Sequence, residues 1–211
     1  MKRLVNTLFF ILLAYIIPLL WRIELLTHYK IIILVLACVI VFLTQPTFDL
    51  EKAQSRQDTD KNSVFLILAL SVIGIAAPIV EWAYFKSDIH SVGWMIPGIS
   101  LLVLGISLRI WAIRVLGKHF TPTVEITANH TLVKSGPYAL VRHPSYLGAF
   151  LAFIGSAVIL EAWLGLLIAI LCMLMAYGIR IRVEETTLIE NFGRKYEEYQ
   201  QQTKRLFPFV W

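Results

Sequence analysis

Charged side chains are scarce in this chain of 211 residues. Asp, Glu, Lys and Arg make up 16% of it, where an ordinary soluble domain carries about 25%. Apolar residues fill the gap at 58% of the total, and the mean hydropathy is +0.72. That balance excludes an ordinary soluble domain and points to an integral membrane protein. Cysteine is nearly absent as well. Cys38 and Cys172 each lie inside an apolar run, which excludes a zinc site and a disulfide framework and suits buried thiols acting as small hydrophobes. Also missing are a G-x-G-x-x-G after a strand, a G-x-x-x-x-G-K-[ST], an H-E-x-x-H, and a G-x-S-x-G elbow around Ser145. Neither a Rossmann or P-loop nucleotide site nor a metal site is expected. The net charge of +5 comes from basic residues scattered at the edges of apolar runs, so no nucleic-acid partner is expected either.

What the chain has in abundance is long apolar runs. A membrane-crossing helix takes about 20 mostly apolar residues. Runs at 4–21, 29–43, 64–85 and 92–116 supply four candidates. A fifth run, 146–181, is too long for one helix and is interrupted by LEAWLG around Glu161, which predicts two helices in a hairpin. The first run follows Lys2 and Arg3 and offers no small-residue cleavage site, so it reads as a retained helix. The stretch 49–62 is a polar loop. In the tail, 184–211, Leu188, Phe192, Tyr196 and Tyr199 recur at helical spacing and predict a short amphipathic helix. The expected fold is an all-α polytopic bundle of about six membrane segments with that helix appended. Residues 1–91 form its N-terminal membrane part and 92–211 its functional core.

Six segments put both termini on one side, and sorting Lys and Arg tests this. Sixteen fall on the side of the termini, whereas Arg22, Lys30 and Lys86 fall on the other. Cytoplasmic loops are enriched in Lys and Arg, so both termini are expected in the cytoplasm. The connection 117–145 and the tail share that face.

Three polar clusters meet there: LGKHFTPTVEI, SGPYALVRHPSYLG and RIRVEETTLIENFGRKYEEY. Each feature has a plain structural use. Pro144 suits the first turn of a helix, and Gly136-Pro137 suits a turn. Gly148, Ala152 and Ser156 form a small-residue face for packing. Glu184-Glu185 suits the start of a tail helix. Together they say more. Arg142 and His143 precede one helix of the hairpin and Glu184 and Glu185 follow the other, so a closed hairpin brings a guanidinium, an imidazole and two carboxylates to one pocket at the membrane surface. Ionisable groups at such depth face an interior or a wet cavity and pair there. A pocket of mixed charge suits a zwitterionic ligand.

The ordered combination of these motifs resembles the isoprenylcysteine carboxyl methyltransferase family in its bacterial form, related to membrane phospholipid methyltransferases. R-H-P-x-Y-x-G stands as Arg142, His143, Pro144, Tyr146 and Gly148; E-E-x-x-L as Glu184, Glu185 and Leu188; F-G-x-x-Y-x-x-Y as Phe192, Gly193, Tyr196 and Tyr199; and R-x-x-P-F as Arg205, Pro208 and Phe209. The likeness covers about 94–209, and the first 90 residues match only as generic membrane helices. It implies transfer of a methyl group from S-adenosyl-L-methionine to a lipophilic or lipidated acceptor drawn from membrane lipid, in the name-giving enzymes the carboxylate of a prenylcysteine. It implies Arg142 positioning an anionic group, with His143, Tyr146, Glu184 and Glu185 lining the cofactor cleft, Arg205 closing it from the tail, and Lys118 and His119 nearby. Which glutamate meets which cofactor group stays open. So do the natural acceptor, with a phospholipid, thiol or amine as alternatives, and the oligomeric state. The bacterial likeness implies an inner-membrane location. An NADPH-dependent membrane reductase of the sterol type and a non-enzymatic scaffold are the rival readings. The first would want more basic residues than VEETTLIE offers, and the second would leave the charged cluster without a purpose.

Overall fold

The computed structural model describes residues 2–44, 58–117, 120 and 132–207. Among them all regular structure is helical, apart from one isolated backbone bridge between Val141 and Lys204. Helix α1, Lys2–Ile11, runs on through a wide π-turn at Leu12–Ile16 into a 3-10 stretch at Ile17–Thr27, broken at Arg22. Pro18 lies at the head of that stretch, where its missing N–H rules out a further α-helical bond. Next come α2, Tyr29–Thr44, and α3, Asp58–Val80, whose interior Pro78 is followed by a second π-turn at Glu81–Phe85. Helix α4 is Met95–Leu116 and a 3-10 turn spans Gly136–Ala139. The chain ends in α5, Pro144–Leu160; α6, Trp163–Phe192; and α7, Arg194–Gln202.

Leu4–Thr27, Phe65–Phe85, Met95–Leu116 and Trp163–Phe192 are long and apolar enough to cross a membrane, while α2 and α5 are apolar but shorter. Six apolar helices are therefore present, and four reach spanning length. The hairpin expected from the long run is α5 and α6. Its break at Glu161 is a left-handed cap with φ 55°, and Lys86 Nζ reaches both the Glu161 carboxylate, at 2.9 Å, and its carbonyl, at 3.1 Å. Ser91 Oγ donates to the other carboxylate oxygen at 2.7 Å. One polar knot thus ties the far end of the hairpin to the segment after α3.

Small residues set how closely the helices approach. A Cβ on Gly105 would meet the Gly148 carbonyl and the Ala152 nitrogen at 2.5 and 2.6 Å, and one on Gly155 would meet the Gly98 carbonyl at 2.7 Å. Glycines seven apart on α4 thus face glycines seven apart on α5, and the two backbones touch. The expected small face was Gly148, Ala152 and Ser156. Gly155 takes the third place, and the Ser156 hydroxyl bonds back to the Ala152 carbonyl of its own helix.

The tail differs from expectation. Glu184 and Glu185 do not begin a new helix but lie inside α6, which runs unbroken to Phe192. The chain turns at Gly193, where φ is 51° and a side chain would be strained. The stripe of Leu188, Phe192, Tyr196 and Tyr199 is therefore split between two helices, and Tyr196 and Tyr199 are buried against the bundle.

Candidate functional site

The R-H-P segment, the middle of α6 and the tail meet at one end of the bundle. Pro144 opens α5, leaving Arg142 and His143 just ahead of it in non-helical backbone. Their amides are not idle. Arg142 N–H donates to the Lys204 carbonyl at 2.8 Å and His143 N–H to the Arg205 carbonyl at 3.1 Å, so the tail lies alongside as an extra strand. Leu206 is then fully buried and Tyr199 O–H donates to the Tyr138 carbonyl at 2.6 Å. Burial pushes the Tyr199 phenol up to about 12 against the opposing pull of Arg142, which keeps it a donor.

Glu185 is the junction. One carboxylate oxygen accepts Arg142 Nε at 2.8 Å and faces His143 Nε2 at 3.3 Å; the other accepts Arg205 Nε at 2.8 Å. Arg142 also donates through Nη1 to the carbonyls of Gln200 and Thr203. Its side chain is 8% exposed and that of Glu185 4%. Both are committed to joining α5, α6 and the tail.

Glu184 differs. Its side chain is 29% exposed. One oxygen accepts the Tyr146 O–H at 2.9 Å, and His143 Nδ1 lies 3.9 Å from the other. Three rings lead inward from it, with His143 and Tyr146 centred 5.7 Å apart and Tyr146 and Tyr177 5.0 Å apart. The Tyr196 O–H is buried, within electrostatic reach of Glu184 and Glu185, and has no hydrogen-bond partner among the described residues. A cavity of about 330 Å³ opens on the tail side of Arg142, lined by residues 200–205.

Of the residues singled out in the sequence, Arg142, His143, Tyr146, Glu184, Glu185 and Arg205 come together. Lys118 and His119 lie outside the described residues, as do Pro208 and Phe209. Four participants were not among the expected site residues. Arg180 is buried one turn before Glu184 and lies beside the Tyr146 phenol; Arg109 on α4 donates to the Ser145 carbonyl at 3.0 Å. Tyr177 and Tyr196 complete the lining. A charge inside each of two apolar runs, and the four-residue step from Arg180 to Glu184, were the signals for the first two.

An apolar helical bundle with a carboxylate, an imidazole and aromatic rings gathered at one end has the make-up of a small-ligand site. Comparison with known proteins narrows this. The sequence model of the phospholipid methyltransferase family matches residues 94–195. Protein-S-isoprenylcysteine O-methyltransferase B of Arabidopsis thaliana is 33% identical over 149 residues, 69% of this chain and 73% of that protein. The protein-S-isoprenylcysteine O-methyltransferases of Tribolium castaneum and Saccharomyces cerevisiae are 37% and 39% identical over 60% and 54% of this chain. The chain spans about half the length of those two, 46% and 48%. The solved structure of the eukaryotic intramembrane Ras methyltransferase ICMT (isoprenylcysteine carboxyl methyltransferase) superimposes with a TM-score of 0.61 at 22% identity, over 99% of this chain and 94% of that one. The shared fold therefore includes the N-terminal helices. The chain belongs to the isoprenylcysteine carboxyl methyltransferase family.

Proposed function

We propose that the chain is a membrane methyltransferase that moves a methyl group from S-adenosyl-L-methionine to a lipophilic acceptor, foremost the carboxylate of a prenylcysteine-like molecule. The observation that carries this is the contrast between the two glutamates, in a chain whose relatives bear methyltransferase names. Glu185 is saturated by Arg142, His143 and Arg205, while Glu184 keeps carboxylate surface for a ligand beside an aromatic cleft. The cluster fits the methyl donor. A partly exposed carboxylate and a row of aromatic rings suit a cationic sulfonium and an aromatic base, and the Tyr196 hydroxyl, without a partner among the described residues, asks for a polar one.

In this reading Glu184, His143 and Tyr146 hold the cofactor. When bound, the cofactor supplies an electrophilic methyl group. An acceptor carboxylate is already ionised at neutral pH, so the chain needs no general base. Its own work is to align the partners at near-attack distance and to exclude water. Arg142 serves that work indirectly, fixing Glu185 and the tail. Arg180 and Arg109, guanidiniums beside the Tyr146 phenol and the Ser145 carbonyl, are the residues to meet an anionic acceptor. Arg205 ties the tail over the site. Residues 92–211 form the methyltransferase core and 1–91 the N-terminal membrane part. Both termini lie in the cytoplasm, in keeping with the one-sided Lys and Arg distribution, and the bacterial form of the motifs points to an inner membrane.

Calorimetric titration of the detergent-purified chain with S-adenosylhomocysteine, with NADPH in parallel, tests the reading. Binding of the first alone is expected and licenses acceptor assays starting from a small prenylcysteine carboxylate. Binding of NADPH alone would move the chain to the reductases, and silence from both in folded protein would retire the mechanism.

A further inference from the structure

Tyr196 opens α7 immediately after the Gly193 turn, and is 1% exposed. Its neighbour on the same face, Tyr199, shows what a phenol does here when it serves the fold: the O–H donates to the Tyr138 carbonyl at 2.6 Å. Tyr196 has the same burial and, among the described residues, no such partner. The two rings are set edge to face, 5.9 Å apart, so both anchor α7 by apolar contact. Only one hydroxyl contributes a hydrogen bond. A buried O–H left unmade is costly, and Phe at that position would keep the ring contact without the cost. The hydroxyl therefore has a use outside the fold.

Its surroundings indicate that use. Glu185, Glu184 and Arg142 are the charged groups that act on it most strongly. Burial, reinforced by the two carboxylates, pushes its pKa far up and keeps the phenol neutral and a donor. Glu185 is saturated by Arg142, His143 and Arg205, and Glu184 is the carboxylate with exposed surface. A ligand that gives a hydrogen bond to Glu184 and takes one from a phenol carries donor and acceptor side by side, as the hydroxyls of a ribose do.

We propose that Tyr196 is a ligand-contacting residue of the candidate site, its phenol donating to a hydroxyl-bearing, nucleoside-type ligand that Glu184 holds from the other side. This rests on the methyl-donor reading above, and names a residue from the tail helix as part of the cofactor's grip. Binding of the cofactor then depends on α7 being docked.

The test crosses two variants. Tyr196→Phe and Tyr199→Phe are made in the full chain, with S-adenosylhomocysteine affinity read by calorimetry and ligand-free thermal midpoint read separately. Tyr196→Phe is expected to weaken binding by about 3- to 10-fold, the worth of one neutral hydrogen bond, with a midpoint equal to or above that of the wild type. Tyr199→Phe is expected to do the reverse, lowering the midpoint with affinity within twofold. If the wild type binds and Tyr196→Phe binds equally well, this inference fails and the methyl-donor reading stands. A lowered ligand-free midpoint for Tyr196→Phe means that the hydroxyl serves the fold, which also overturns it. A wild type that binds nothing takes down both.

Discussion

Neutralising Glu185 while keeping its shape tests whether this carboxylate joins the site together or serves it from within. In Glu185→Gln the two guanidiniums and His143 face an amide with a single carbonyl acceptor. The Arg142 pair is buried on both sides, with 8% and 4% side-chain exposure, and breaking a buried pair by removing one charge costs about 3–5 kcal/mol. The Arg205 pair is 34% exposed on the arginine side, and screening reduces its share to about 0–1 kcal/mol. Gln keeps the volume and one acceptor, which places the net loss near the lower end, about 3 kcal/mol. A loss of that size raises the population of undocked tail by about 100-fold. Two assays read it. Trypsin should cut after Lys204 or Arg205 much faster in the variant. A thiol-reactive dye, which reports unfolding through the buried Cys38 and Cys172, should show a clearly lower midpoint. Glu184→Gln should leave both signals near wild type. A Glu185→Gln protein with a protected tail and an unchanged midpoint would refute the junction role and return Glu185 to direct ligand contact.

Three further outcomes follow from the same geometry. Glu184→Gln should weaken S-adenosylhomocysteine binding by about tenfold or more, the worth of one charge-assisted hydrogen bond, and calorimetry showing unchanged affinity would remove Glu184 from the site. Gly105→Leu forces atoms into the Gly148 carbonyl and should cost about 1–3 kcal/mol or more in thermal unfolding, whereas Gly93→Leu, with open space around it, should cost little. At Glu161 burial pushes the carboxyl up, but hydrogen bonds from Lys86 and Ser91 and the charges of Lys86 and Lys30 outweigh it, so its pKa lies below the ordinary value. Around that value the unfolded chain binds more protons than the folded one, so the contribution is whole above roughly pH 4.5 and is lost as the pH falls. The midpoints of wild type and Glu161→Gln should therefore stay apart from pH 7 down to about pH 4.5 and converge as the pH falls further, and parallel curves below pH 4.5 would exclude the effect.

Much of this protein is written along the chain. Apolar run lengths gave the apolar bodies of the helices, because a helix in lipid must satisfy its own backbone and so must be long and apolar, but not their polar extensions: α3 begins at Asp58 and α6 continues to Phe192. Glu161 marked the hairpin turn, as a charge amid thirty apolar residues has to. Arg142, His143, Tyr146, Glu184, Glu185 and Arg205 were legible as motif residues, and the hairpin sufficed to bring most of them together. Other features depend on distance and direction. That Glu185 is consumed by two guanidiniums and an imidazole while Glu184 retains surface is decided by which face of α6 meets the tail, and two adjacent glutamates look alike in sequence. The tail's pairing with residues 141–143 is a backbone matter that side chains hardly encode. Arg109 and Arg180 read as charges to be counted for orientation until packing set them beside Ser145 and Tyr146. Tyr196 and Tyr199 share one motif and one burial, and only the fold gives one hydroxyl a carbonyl and leaves the other without one. Patterns of polarity report where a residue sits relative to lipid and water, whereas hydrogen-bond partners are fixed by neighbours distant in the chain, and those exist only once the helices have packed.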